Sequence, residues 1–248
     1  MKSKILKVIS VAAALLLWQV AATLISADFL LASPISVLKS IFSLFKNGEV
    51  FDSIWYSFAR IAGGLLLSSV AGAVLAILAS RSHVLETLLW PYMLTVKTVP
   101  VASFIVIALI WLSSSMLSVF IAFLMVLPII YNNVLSGIKS TDRKMTEMAE
   151  VFSLSYKKRF IYIALPTLKP FLRAGFQTAI GFAFKSGIAA EIIGIPNGSL
   201  GERLYSAKVH LETAELFAYT IIIVLLSVAF EKLFLLMLDK LFKVVEKR

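Results

Sequence analysis

The chain has 248 residues, 60% of them apolar and only 15% charged, with a mean hydropathy of +0.93. A soluble domain carries roughly 25% charged residues and a fold of this size has too little interior for so much apolar side chain, so lipid is the expected solvent, and disordered, collagen-like and disulfide-scaffold classes are excluded. Lys plus Arg outnumber Asp plus Glu by 24 to 14, and cysteine is absent, which removes thiolate metal sites and cysteine nucleophiles.

A helix crossing the hydrocarbon core needs roughly 20 mostly apolar residues, and six such runs are found. The first, Val8–Ile25, follows Lys2, Lys4 and Lys7. Its Ile25-Ser26-Ala27 end is similar to a signal-peptidase site, but the apolar stretch is longer than a signal core, so it is expected to be kept as a span. The second run is Ile61–Ala79. The third, Leu88–Leu112, is interrupted by Lys97 and Pro100 and reads either as one span or as an interfacial helix followed by a span. The fourth is Ser118–Ile138, with Pro128 inside it. The fifth, Ala174–Ile193, carries Lys185 and Glu191, and the sixth, Ala214–Leu238, carries Glu231.

The cations orient these runs. With the N-terminus in the cytoplasm, only Lys39, Lys46, Arg60, Arg203 and Lys208 fall outside, and Lys185 and Lys232 fall within spans. The remaining cations lie inside, an asymmetry that predicts an all-α bundle of six membrane helices with both termini cytoplasmic. The basic excess is therefore a topology signal rather than a nucleic-acid footprint. His83 and His210 are too far apart for a local ligand motif, and no metal site is expected. A GxxxxGK[ST] phosphate loop is missing, so the chain is expected to bind no ATP of its own and to have no catalytic residues.

Small residues at every fourth position allow close helix approach in lipid. Gly64, Ser68, Gly72 and Ala76 form one such row. Gly175, Ala179, Ala183 and Gly187 form another that ends on Glu191. Either row suits packing within one bundle or an interface with a second copy. Lys185 sits deep in its run, so it is expected to face protein or a water-filled path, partnered by Glu231 or by Glu191 of a second copy; snorkelling toward the membrane surface is the structural alternative. Asn132 and Asn133, one turn after Pro128, either support a kink or line a path.

The segment 139–169 between the fourth and fifth runs is the most charged loop. Ser140-Thr141-Asp142 is a helix N-cap stretch, and two short helices are expected, Lys144–Phe152 and Tyr156–Ala164, the second closed by Pro166. The second is amphipathic and suits either a membrane surface or a partner's groove, the membrane being favoured on the residues alone.

Glu147-Met148-Ala149, three residues, Ser153, nine residues, then Ile163-Ala164-Leu165-Pro166 closely resembles the EAA loop of ABC importer permeases. Met148 stands where that pattern has its middle alanine and Ser153 where it has glycine. Ala32-Ser33-Pro34, Gly48, Ser57-x-x-Arg60, Val99-Pro100-Val101-Ala102, Leu127-Pro128, Gly137, Lys185, Ala190-Glu191 and Gly198-Ser199-Leu200-Gly201 are similar to the nitrate/sulfonate/taurine-type members. The resemblance implies a multi-pass cell-membrane protein with a type I importer fold. Glu147, Ala149, Ser153, Ile163, Leu165 and Pro166 would then dock a cytoplasmic ATPase, reversing the preference for the membrane surface. It implies two ATPase subunits carrying ATP-Mg, a second permease copy (most simply a homodimer) and an extracytoplasmic binding protein that delivers a small, often anionic solute. Lys185, Glu191, Asn132 and Asn133 would be candidates for the translocation pathway. The competing readings are a secondary transporter driven by an ion gradient, an integral-membrane enzyme, for which the spans supply almost no convergent catalytic groups, and the membrane component of a vitamin-type importer.

Overall fold

The computed structural model describes residues 2–25, 27 and 30–246. Among these the chain is helical, without strands: α1 Lys2–Ile25, α2 Pro34–Asn47, α3 Glu49–Arg81, α4 His83–Thr98, α5 Val101–Ala108, α6 Ser114–Lys139, α7 Arg143–Val151, α8 Tyr156–Arg159, a π-helical turn Phe160–Ala164, α9 Leu165–Gly194, α10 Leu200–Val209 and α11 Thr213–Glu246. Ser26 of the cleavage-like tripeptide and the cations Lys247 and Arg248 lie outside the described residues, as do the side chains of Lys2, Lys4 and Lys7.

Among the described residues three helices are long and apolar enough to cross a membrane: Val50–Arg81, Ser114–Lys139 and Thr213–Val245. The stretch read as a third span is not one straight helix. Val99-Pro100 divides it into α4 and α5, bent by 101°, and the pair counts as a fourth crossing only if taken together. Proline lacks the N–H and disfavours helical geometry at the residue before it, and Val99 is accordingly extended. The apolar part of α1, Ile9–Ile25, is shorter. Helix α9 has the length, but Gln177, Thr178, Lys185 and Glu191 make it less apolar.

Helix α6 is the axis of the molecule, flanked by α3 and α9, and α11 closes over α9, α10 and α2. Ile61, Leu65, Val126, Ile130, Ile180 and Phe184 fill the main core between these helices. The small-residue rows make the close contacts. A Cβ on Gly64 would stand 2.4 Å from the Val119 carbonyl oxygen, and one on Gly72 would stand 3.2 Å from Ile130. Ser68 Oγ donates to the Phe123 carbonyl at 2.8 Å. The first row therefore seats α3 on α6 of the same chain. In the second row Gly175 abuts Asn133 and Gly187 abuts Ile61, with Ala179 and Ala183 fully buried between them. The outward faces of α3 and α11 expose Leu67, Val70, Leu225, Leu233 and Met237, a surface suited to lipid rather than water.

Pro166 does not close the second short helix of the loop. Tyr156 to Gly194 is one continuous helical run, because the turn before the proline widens: the Leu165 N–H donates to the Phe160 carbonyl, five residues back. Pro166 stands directly after this widened turn, the local irregularity that lets a proline, with no N–H to donate, sit inside a continuous helix.

Candidate functional site

Two constellations stand at opposite ends of the bundle. The first is the loop after α6. Asp142 caps α7, its Oδ1 accepting from the Lys144 N–H at 2.9 Å. Helix α7 ends with both paired bonds of a Schellman turn: Ser153 N–H to the Glu150 carbonyl and Leu154 N–H to the Ala149 carbonyl, each 2.9 Å. Ser153 itself has φ +48°, the left-handed conformation that glycine adopts without cost.

Arg159 locks this turn. Its Nε donates to the Leu154 carbonyl at 3.1 Å, one Nη to the Ala149 carbonyl at 3.4 Å, and the other reaches Glu150 Oε1 at 3.5 Å. Ala149 is fully buried and Ile163 nearly so; with Arg159 and Phe160 they line a cavity of ≈ 210 Å³ inside the loop. The remaining motif positions face outward: Glu147, bonded at 2.9 Å to Arg143 one turn back, Ser153 and Pro166 are exposed, and Leu165 is half-buried. Around them Met148, Val151, Phe152 and Tyr156 are exposed, Val151 to 81% and Tyr156 to 77%. The motif thus has a packed interior, Ala149 and Ile163, while its other four positions face outward or are half-buried beside an apolar ridge of Met148, Val151, Phe152 and Tyr156. Arg159, not among the motif positions, is the residue that holds the two parts together. Nearby, Lys139 pairs with Glu86 at 2.6 Å, and Arg173 with Asp239 at 3.5 Å.

At the other end, Glu191 is fully buried where α3, α9 and α10 meet. Its Oε2 accepts from Ser57 Oγ at 2.6 Å and from the Gly201 N–H at 3.2 Å, while Ser57 Oγ accepts from the Leu200 N–H at 2.9 Å. The carboxylate and the serine therefore take up the free N–H groups at the start of α10. Ser118 of α6 lies beside the same carboxyl, though its Oγ and Glu191 Oε1 are both buried without a partner in bonding geometry. Gly201 admits no side chain here, since a Cβ would stand 2.3 Å from Glu191 Cβ. Arg60, one turn beyond Ser57, donates to the Ser115 carbonyl at 2.9 Å and lies 3.5 Å over the Tyr56 ring. Residues that are far apart in the sequence, Ser57, Arg60, Glu191, Leu200 and Gly201, are gathered at one node.

The other candidate pathway residues are separate from it. Lys185 is exposed on α9, beside a cleft of ≈ 340 Å³ between α9 and α11 lined by Gly181, Ile188, Thr220 and Val224. Among the described residues it has no carboxylate within ion-pair distance, so neither Glu231 nor the chain's own Glu191 pairs with it. Asn132 and Asn133 are half-buried and donate to the Pro128 and Ile129 carbonyls, the second at 2.8 Å. These are carbonyls one turn back rather than the Leu124 carbonyl that Pro128 leaves free.

A family model described as "Binding-protein-dependent transport system inner membrane component" matches residues 64–247. The chain is 28% identical over 209 residues to a putative aliphatic sulfonates transport permease protein of Bacillus subtilis, covering 83% of this chain and 75% of that one. It is 26% identical over 185 residues to a formylaminopyrimidine transport permease protein of Halalkalibacterium halodurans, 74% of each. It is 30% identical over 146 residues to a nitrate import permease protein of Leptolyngbya laminosa, 58% of this chain and 52% of that one. Among solved structures it is similar to one described as the crystal structure of an amino acid ABC transporter with histidines. The TM-score is 0.52 and the identity 19%, over 84% of this chain and 94% of that one, a likeness of fold.

Proposed function

The chain belongs to the family of binding-protein-dependent transport system inner membrane components, and from that premise we propose that it is the permease subunit of an importer for a small anionic solute, powered by a separate ABC ATPase. The observation that carries this reading is the loop after α6. Its exposed Met148, Val151, Phe152 and Tyr156 stand among Lys157, Lys158 and Arg143. An apolar ridge held rigid by Arg159 and ringed by cations suits a groove on a partner protein better than water. ATP with its Mg would be bound and hydrolysed on that partner, and rigid-body movement of α7 would pass to α9 through the continuous helix that begins at Tyr156.

Six spans with both termini in the cytoplasm remain the topology of this proposal. It is supported by the cation distribution and needs α1, the α4–α5 pair and α9 as crossings. Helix α9 also presents an exposed strip of Gln177, Thr178, Gly181 and Lys185. Polar groups in that setting call for a second copy or a water-filled path rather than lipid, which supports two copies with the pathway between them, fed by an extracytoplasmic binding protein. Relatives named for sulfonates and nitrate, together with the unpaired Lys185, support an anionic solute.

The test is copurification. The native chain, tagged and expressed with its ABC ATPase, is expected to retain it. Glu147→Arg combined with Ser153→Trp is expected to release the ATPase while the chain still unfolds at its usual temperature. Retention by that variant would remove the loop from the coupling role.

A further inference from the structure

Helix α2 lies at the end of the bundle away from the coupling loop, joined to the start of α3 by Gly48, whose φ of +81° turns the chain. Its surface divides into three sectors. Val37, Ile41 and Leu44 pack toward α11, with Val37 buried. Leu38 and Phe42 point away from the protein, 65% and 73% exposed. Between the apolar and polar sides run Lys39, Ser43 and Lys46, at i, i+4 and i+7, and these line an open groove of ≈ 500 Å³ with Leu38 and Phe42. The helix, PISVLKSIFSLFKN, has no acidic residue, and among the described residues neither lysine has an ion-pair partner.

One occupant suits the two sectors that α11 leaves open. We propose that α2 lies in the plane of the membrane surface and that Lys39, Ser43 and Lys46 hold the phosphate of an anionic phospholipid, whose acyl chains run over Leu38 and Phe42. The two lysines stand about 10 Å apart along the helix, within reach of one phosphate from either side on their flexible stems, and Ser43 between them supplies a hydroxyl donor. The depth fits: Trp55 and Phe51, on the first turns of α3, are exposed at 69% and 56%, and aromatic rings of this kind favour the headgroup level. Amphipathic helices with cations flanking an apolar face bind anionic lipid in this way.

The chain has no cysteine, so Asn47→Cys, at the exposed end of the groove, gives a unique fluorophore position. The labelled full chain is placed in lipid nanodiscs with phosphatidylglycerol or phosphatidylcholine bearing a nitroxide near the glycerol end of one acyl chain. Phosphatidylglycerol is expected to be enriched at the label roughly tenfold over phosphatidylcholine. Lys39→Gln with Lys46→Gln should equalise the two while both still quench, and the paired Lys→Arg variant should keep the preference. Equal quenching by the two lipids in the lysine-bearing chain would overturn headgroup recognition. Quenching by neither would show that the helix faces water or another protein. Loss of the preference on adding soluble glycerol phosphate would show a site for free phosphate instead of lipid.

Discussion

Glu191 and Ser153 show how single residues set the geometry at the two ends of the bundle. Truncating Glu191 leaves Ser57 Oγ and the Gly201 N–H without their acceptor in a closed space, and leaving a buried donor unmet costs about 1–3 kcal/mol. Glu191→Ala is expected to lower the stability of the purified chain by roughly 2–3 kcal/mol in thermal unfolding, and Glu191→Gln by less, since the amide oxygen still accepts. A loss no larger than that of an exposed substitution would contradict the role given to this carboxyl. Ser153 works the other way, because its left-handed φ of +48° is strained for any residue with a Cβ. Ser153→Gly should relieve about 1 kcal/mol, read as slower amide exchange at Leu154, whose N–H closes the turn on Ala149. The serine was visible in the sequence as a departure from glycine at a fixed place in a spaced motif. The clamp by Arg159 was not, because two of its three acceptors are the Leu154 and Ala149 backbone carbonyls, which carry no side-chain signature.

At the scale of elements, the rows of small residues decide which helices touch. Gly64 lies against the backbone of α6, while adjacent Gly63 has nothing within 4 Å of a built Cβ. Gly64→Val is therefore expected to reduce the yield of folded chain sharply, by overpacking of about 1–3 kcal/mol or more, and Gly63→Ala to leave it unchanged. Size-exclusion yield after detergent extraction separates the two. The spacing of these rows was legible, and so were the apolar cores of α3, α6 and α11, since a membrane helix declares itself by length and hydropathy. Their partners were not legible, because the same four-residue spacing serves a neighbour in the chain or in a second copy. Val99-Pro100 was legible as an interruption but left open between one span and two helices, and the bend of 101° depends on what α5 packs against, namely α6 and α9. At Pro166 the same reading failed, since a widened π turn lets the helix pass through. Helix α2, short and with apolar residues on more than one face, fell below the span-length pattern and was not found.

For the whole molecule, the Ser57–Glu191–Gly201 node and the Arg159-locked loop lie at opposite ends of the bundle. Helix α9 carries Glu191 at one end and is continuous with the loop at the other. In the proposed coupling, a displacement of α7 passed through the Arg159-held turn would reach the node along the single helical run that begins at Tyr156. Lys185 lies between them on the exposed strip of α9. Lys185→Met is expected to leave folding and ATPase association intact while lowering solute uptake at least about tenfold; unchanged uptake would make the lysine structural. This multi-pass inner-membrane component belongs to a transport family, and what powers transport through it is the property on which the proposed function stands or falls. The direct measurement is uptake of the solute held by its binding protein into proteoliposomes containing this chain, with and without the ABC ATPase. Uptake is predicted to require both the ATPase and ATP on its side of the membrane and to survive ionophores that collapse ion gradients. Uptake that continues without the ATPase and stops on adding the ionophore would contradict it.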